Sequence, residues 1–492
     1  MTYPDTAIAE HAKAFDLHCQ GRMQEAEAAY RAALSIEPDL AEGWMNLGLV
    51  AISRKRSEEA LGYQREALRL DPDNADALNN AGIAHYTLGN VAEAEACFRG
   101  ALRLKPAHGN AMLNLGSTRQ LANDVDDAIA CYLQAESLGV DPARVKTNLA
   151  LAMMEQGRAE DAEAHCRAAL AIAPTNAEAH ANRAMALLLL GRLEEGWSEY
   201  ESRWVVETMG HPLPPLPKPR WIGQDVAGKT VLLYAEQGFG DVLQFSRYAP
   251  MVAARGARVV LVVPKPLQRL MRTLHGVAEV LSDEDEGLPE FDYHCPLMSL
   301  PFAFKTTVET IPGPQSYLHA DPAGWAPFLE TLPGLKVGLV WAGKSRTDQP
   351  HAVAIDKRRS MRLADMASLL SVPGCSFVSL QLGPPARQMA GHDALVDVSD
   401  RLTDWNDTAE LIAGLDLVIA VDTAVAHLAG ALGRPVWMLN RYDTCWRWFQ
   451  QREDTPWYPT MRLFRQTRKG DWSDVVARVR AALAAAAGGW RA

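Results

Sequence analysis

Residues 41–74 read AEGWMNLGLVAISRKRSEEALGYQREALRLDPDN, and the proline at 72 belongs to a series. Pro38, Pro72, Pro106 and Pro174 stand in step, with Val140 in the one missing place, so the period is 34 residues. Alanine recurs twelve residues before that place, at 26, 60, 94, 128 and 162, and five before it, at 33, 67, 101, 135 and 169. Glycine or alanine recurs 24 before it, at 14, 48, 82, 116 and 150. Small side chains at these places let the two helices of a hairpin approach closely, and proline closes the second helix. Five units are clear. A sixth starts near Asn176 and ends in GRLEEGWSEYESRW, residues 191–204.

Outward from the repeats, 492 residues are too many for one ordinary domain, and two or three are expected. The N-terminus has no basic segment followed by an apolar core, so no secretory signal is expected. No run approaches 18 apolar residues, so no membrane span is expected. Seven scattered cysteines without CxxC spacing predict reduced thiols in the cytoplasm and no metal site. Residues 1–205 hold 19 Lys+Arg against 30 Asp+Glu, a net of −11, while the remainder holds 30 of each. The whole acidic excess lies in the repeats, which disfavours nucleic acid as a partner of that half.

Residues 211–221, HPLPPLPKPRW, contain five prolines and predict a non-helical connector or strap, placed within 205–228. Beyond it, KTVLLYA, ARVVLVVP, KVGLVWAG, CSFVSLQL, DLVIAVD and PVWMLN are short buried-strand runs separated by helix-like segments. That alternation predicts parallel βαβ units. It gives two facing Rossmann-like lobes, at 229–334 and 335–485, with a tail at 486–492.

Two stretches point to chemistry. In LLYAEQGFGDVLQFSRY, 232–248, a strand hands over to a helix through Gly238-Phe239-Gly240, with Asp241 next. Such a turn opens a backbone-lined pocket at a strand's carboxyl end, but a carboxylate there repels phosphate. Asp241 is either a helix cap or a reacting group. In LDLVIAVDTAVAHLAGALGRPVWMLN, 415–440, Asp422 and Thr423 precede a helix that carries His427. The free N–H groups of that helix start, the Thr423 hydroxyl and His427 make a seat for a diphosphate, with Asp422 capping or orienting the turn. The alternative is an ordinary βαβ unit. Lys344 and Arg346 in WAGKSR, and Lys357, Arg358, Arg359 and Arg362 in IDKRRSMR, supply cations near such a seat. Residues 441–472 interleave arginines with Trp, Tyr and Phe, which suits a nucleotide. Arg465, Arg468 and Lys469 in that stretch read as a solvated surface.

The repeats resemble tetratricopeptide repeats over 7–204. The region 229–485 resembles glycosyltransferase family 9, the heptosyltransferase-like group. That resemblance implies a GT-B fold after an α-solenoid, with nucleotide sugar as substrate and no cofactor. In that family a GD pair after the first strand supplies the catalytic carboxylate, here Gly240-Asp241 with Gly238 in the same turn. A D-T-G-L-x-H segment holds the donor diphosphate, here Asp422-Thr423-Ala424-Val425-Ala426-His427, with Ala424 replacing a glycine and crowding the phosphate approach. Lys344, Lys357, Arg358 and Arg359 complete the implied donor site. Fusion to repeats through GWxEYExRW is similar to bacterial protein glycosyltransferases. It implies a protein acceptor, flagellin first, recruited by the repeat groove, and inverting, metal-independent transfer. A glycan acceptor, lipopolysaccharide included, and an inactive scaffold remain open.

Overall fold

The computed structural model describes residues 4–206, 213–313, 316–344 and 350–489. Among the described residues, twelve helices run through the first 200: α1 (Asp5–Cys19), α2 (Met23–Ile36), α3 (Ala41–Ser53), α4 (Ser57–Leu70), α5 (Ala75–Thr87), α6 (Val91–Leu104), α7 (Gly109–Leu121), α8 (Val125–Ser137), α9 (Pro142–Glu155), α10 (Ala159–Ile172), α11 (Ala177–Leu189) and α12 (Leu193–Tyr200). The periodic alanines at 26, 60, 94, 128 and 162, and at 33, 67, 101, 135 and 169, are all fully buried. At the periodic glycines the reason for smallness is direct. A Cβ on Gly82 would lie 2.6 Å from the Phe98 ring, and one on Gly116 would lie 2.6 Å from the Tyr132 ring.

A second signal at the same period lies in the tight turn of each hairpin. Gly21, Lys55, Gly89, Asn123, Gly157 and Gly191 all adopt left-handed backbone, with φ between 61° and 78°. Glycine suits that conformation and asparagine tolerates it. Spacing these residues by 34 therefore folds each helix pair back on itself.

The chain divides into two compact units. One comprises Met1–Ala152, Ala171–Pro174 and Arg346–Ala354; the other comprises Met153–Leu170, Thr175–Ser345 and Ile355–Ala492. The sixth repeat therefore belongs with the sheets rather than ending at a boundary at 204. Trp197 of α12 is buried among Phe245, Trp446 and Trp457 of that second unit. The connector lies in it too. Trp221 is fully buried, its N–H donates to the His294 carbonyl, and the His294 N–H donates to the Pro219 carbonyl.

The second unit holds two all-parallel sheets. The first contains β1 (Thr230–Tyr234), β2 (Arg258–Val263), β3 (Val277–Ser282) and β4 (Tyr293–Pro296), in the order β3-β2-β1-β4. The second contains β5 (Leu335–Val340), β6 (Cys375–Ser379), β7 (Leu395–Val396), β8 (Leu417–Val421), β9 (Val436–Asn440) and β10 (Met461–Arg465), in the order β10-β9-β8-β5-β6-β7. Strand order in this sheet runs outward to both sides from the β5–β8 pair, as in doubly wound folds, and reverses there. The segment between the sheets leans on the second lobe, since the Tyr317 and Leu318 N–H groups both donate to the Ala431 carbonyl. The last helix runs Ser473–Gly489, across the 485/486 boundary, and buries Val475, Val476, Val479 and Leu483.

Candidate active site

The loops after β5 and β8 flank the reversal of the second sheet, where ligands bind in folds of this topology. After β5, Gln381 accepts the Trp341 and Ala342 N–H groups at 3.2 and 2.9 Å, and Ser360 accepts that of Gly343 at 3.0 Å. A Cβ on Gly343 would lie 2.5 Å from the Arg359 guanidinium, so this glycine admits the arginine. After β8, Thr423 caps the helix Ala424–Ala431 in extended backbone, but its hydroxyl makes no cap hydrogen bond and lies buried without a partner among the described residues.

Three further buried polar atoms without partners among the described residues stand at the carboxyl ends of neighbouring strands. They are Trp341 Nε1 after β5, Asn440 Oδ1 at the end of β9 and Gln466 Nε2 after β10. Orphaned buried polar atoms are uncommon, and four along one sheet edge mark a place built for a polar ligand.

Across from this edge, the turn after β1 leads into the helix Phe239–Phe245. The two helix starts touch. A Cβ on Gly240 would lie 3.0 Å from His427 Cδ2 and 3.6 Å from Ala424 Cα, so glycine here permits the approach. Ala424 thus faces the first lobe's helix start. Asp241 does cap its helix, accepting the Gly238 N–H on Oδ2 at 3.0 Å, and its other oxygen is ion-paired with Arg447 from the second lobe.

His427 is buried, stacked on Trp448 at 5.1 Å, with Nδ1 at 2.9 Å from the Tyr458 hydroxyl. Burial, aided by the fields of Arg447, Arg247 and Arg359 and opposed by Asp422, presses its pKa down to about 3. The imidazole is therefore neutral, and the cations of the site are guanidiniums. Burial works against the charge of Asp422, but the positive groups around it, Arg359 and Arg441 among them, hold that carboxyl below its usual range.

The structure thus gathers Gly238, Gly240, Asp241, Asp422, Thr423, Ala424, His427 and Arg359. Arg358 pairs with Asp443 at 2.9 Å and with Glu155 of α9 at 3.5 Å, so its guanidinium is already engaged. Lys344 and Lys357 are exposed, and Arg346 lies outside the described residues. Arg465 departs from a solvated role, since it donates to the Trp448 and Arg452 carbonyls and burial lowers its pKa to about 10. Arg447 carries no sequence signal beyond membership of the aromatic-rich stretch, because a partner 206 residues away leaves no local trace. Among the described residues, no group of three His, Cys, Asp or Glu is placed to hold a metal ion, and no helix is long and apolar enough to cross a membrane.

Comparison with known proteins agrees with this architecture. Residues 20–75, 63–109, 79–136 and 113–177 match the tetratricopeptide repeat family. Residues 391–448, which include Asp422 through Arg447, match glycosyltransferase family 9 (heptosyltransferase). The matches thus set tetratricopeptide repeats ahead of a segment similar to glycosyltransferase family 9. It is 31% identical over 320 residues to protein FlbA of Caulobacter vibrioides, an alignment covering 59% of this chain and 52% of that protein. The chain thus spans about half the length of this curated relative. Among solved structures, similarity extends to TTC0263, a tetratricopeptide-repeat protein of Thermus thermophilus, with 22% identity, a TM-score of 0.35, and coverage of 37% of this chain and 99% of that one. It extends also to a tetratricopeptide repeat protein from Parabacteroides merdae, with 18% identity, a TM-score of 0.35, and coverage of 43% and 82%.

Proposed function

We propose that this chain is a glycosyltransferase that moves a sugar from a nucleotide-sugar donor to a protein recruited by its repeats, by inversion and without a metal, in the cytoplasm. The observation that carries the reading is the contact of the two helix starts. That contact sets the start of the helix carrying Asp241 against the start of the helix that follows Thr423, which supports the reading. Asp241 accepts the proton of the acceptor hydroxyl as its oxygen bonds to the anomeric carbon, and the bond from that carbon to the donor phosphate breaks. The departing phosphate gathers charge at the helix start, where backbone N–H groups, Thr423 and the neighbouring guanidiniums stabilise it. An array of net charge −11 favours an acceptor with basic exposed segments, and flagellin is the first to test. The heptosyltransferase description of the matching family supports a glycan as the second acceptor class.

The test is transfer by the full chain from a panel of nucleotide sugars to flagellin and to lipopolysaccharide core. Asp241→Asn should remain folded and lose about 10²-fold or more in rate, the scale of a missing general base. Near-normal turnover by the folded variant would leave Asp241 as a helix cap alone.

A further inference from the structure

Both oxygens of Asp241 are engaged: one by the Gly238 N–H, the other by Arg447. Each oxygen keeps a further lone pair, but on Oδ1 an acceptor hydroxyl would have to compete with the guanidinium. Of its two partners, the Gly238 N–H belongs to the same turn and helix start. Arg447 comes from the loop after β9, in the opposite lobe, and its other contacts are modest. Nε donates to Gln244 Oε1 at 2.7 Å, Nη1 donates to Cys445 Sγ at 3.2 Å, and the guanidinium lies 4.2 Å over the Trp446 ring. Sulfur is a weak acceptor, so the five N–H donors of this guanidinium are not fully used. Only 12% of its side chain is exposed, so the cation is held away from water and must be matched by an anion.

The surroundings indicate which second anion fits. Gly240, the neighbour of Asp241, touches His427 and Ala424, and the field of Arg447 reaches His427 itself. The neutral imidazole brings no charge to the helix start, so a phosphate there needs a guanidinium. Arg447 is bonded to Asp241, whose neighbour Gly240 approaches that helix start.

Resting on the donor seat proposed above, we infer that Arg447 is a positioning residue shared by Asp241 and the donor diphosphate. Without an anion it pairs with the carboxylate. When a diphosphate occupies the helix start, the guanidinium turns to the phosphate and one Asp241 oxygen becomes available to the acceptor hydroxyl. The base is thereby relieved of its ion pair when donor is present. A bidentate guanidinium suits such an exchange, because its planar fork matches carboxylate and phosphate oxygens alike.

Calorimetry of inorganic pyrophosphate binding to the full chain tests this, with melting temperatures to confirm folding. Arg447→Met should weaken binding about tenfold, the scale of one charge-assisted contact, and Arg447→Lys by less. Asp241→Asn removes the competitor and should tighten binding about fivefold, some 1 kcal/mol. In the Arg447→Met background the same Asp241→Asn change should have no effect. Equal tightening in both backgrounds would mean plain repulsion by the carboxylate and would overturn the inference. If Arg447→Met does not fold, Asp241→Asn decides alone, and unchanged affinity overturns it. Binding that depends on Thr423 but not on Arg447 overturns the shared role and leaves the donor seat standing. Binding that ignores Thr423→Val yet follows the Arg447 and Asp241 cycle supports the shared role and moves the seat. No binding by the parent at about 10 mM pyrophosphate overturns both.

Discussion

The two parallel sheets begin alike, each first strand flanked by its second and fourth, yet their carboxyl ends are finished differently. In the first sheet the crevice beyond β1 is filled from within the chain. Glu236 receives two bonds from Arg203 of the GWxEYExRW segment, at 2.8 and 3.0 Å, and a third from the Met298 N–H at 3.0 Å. Arg203 also donates to Ser299 at 2.8 Å and is 2% exposed. Among the described residues, none immediately after β1 to β4 has a buried polar side-chain atom without a partner. In the second sheet Trp341, Thr423, Asn440 and Gln466 all have one. One kind of sheet can thus make a joint or a site. What separates them is whether the protein itself satisfies the polar groups that the strand ends present.

The largest expected effect breaks the joint. Arg203→Met leaves the Glu236 carboxylate buried and unpaired, and should cost about 3–5 kcal/mol in urea unfolding of the full chain. A loss no larger than that of an exposed ion pair would mean that the joint does not hold the sixth repeat to the first sheet. The next effect concerns His427. Its folded-state pKa of about 3 lies below the ordinary 6.5, so the unfolded chain binds that proton first. Its contribution is complete above pH 6.5 and is lost as pH falls from 6.5 toward 3, by at most about 1.4 kcal/mol per unit. Unfolding at pH 7 and pH 5 should show the fall in the parent and a flatter slope in His427→Gln; equal slopes would remove His427 from the account. The smallest effect sharpens the site. Thr423→Val removes a hydroxyl that has no partner among the described residues, so stability should change by less than about 0.5 kcal/mol. Affinity for the nucleoside diphosphate of the working donor should fall about five- to tenfold, the scale of one lost hydrogen bond. The reverse pattern, lost stability with affinity unchanged, would make Thr423 part of the scaffold.

The fold was legible wherever the signal is local. The period of 34 is carried by small residues that meet within one hairpin, and six of the ten described strands are continuous apolar runs. The missed strands are those that the tertiary context makes. Edge strand β3 reads VAEVLS with a half-buried Glu279, β4 carries His294 and ends in Pro296, β7 has two residues, and β10 reads MRLFR. The site divides in the same way. Gly240, Asp241, Asp422, Thr423 and His427 sit at strand-to-helix turns that sequence can locate. Arg447 reaches Asp241 across 206 residues, and Arg203 reaches Glu236 only because α12 folds onto the first sheet. Arg358 shows the converse, a basic run that looks like ligand chemistry but neutralises Asp443 and Glu155.

The proline-rich strap has a consequence for how copies of this chain behave in crowded solution. Open parallel sheets have edges, and an exposed edge invites another chain to add a strand. Here the bonds of Pro219 and Trp221 to His294 occupy the β4 edge. The opposite edge, β3, has an irregular register with β2 and carries Glu279 in an ion pair with Arg258. In the second sheet β7 is too short to act as a template, and β10 places Arg462 outward against Glu453. Four sheet edges are thus blunted by four different means. The protein can carry these parallel strands at high concentration without offering a seed for edge-to-edge aggregation.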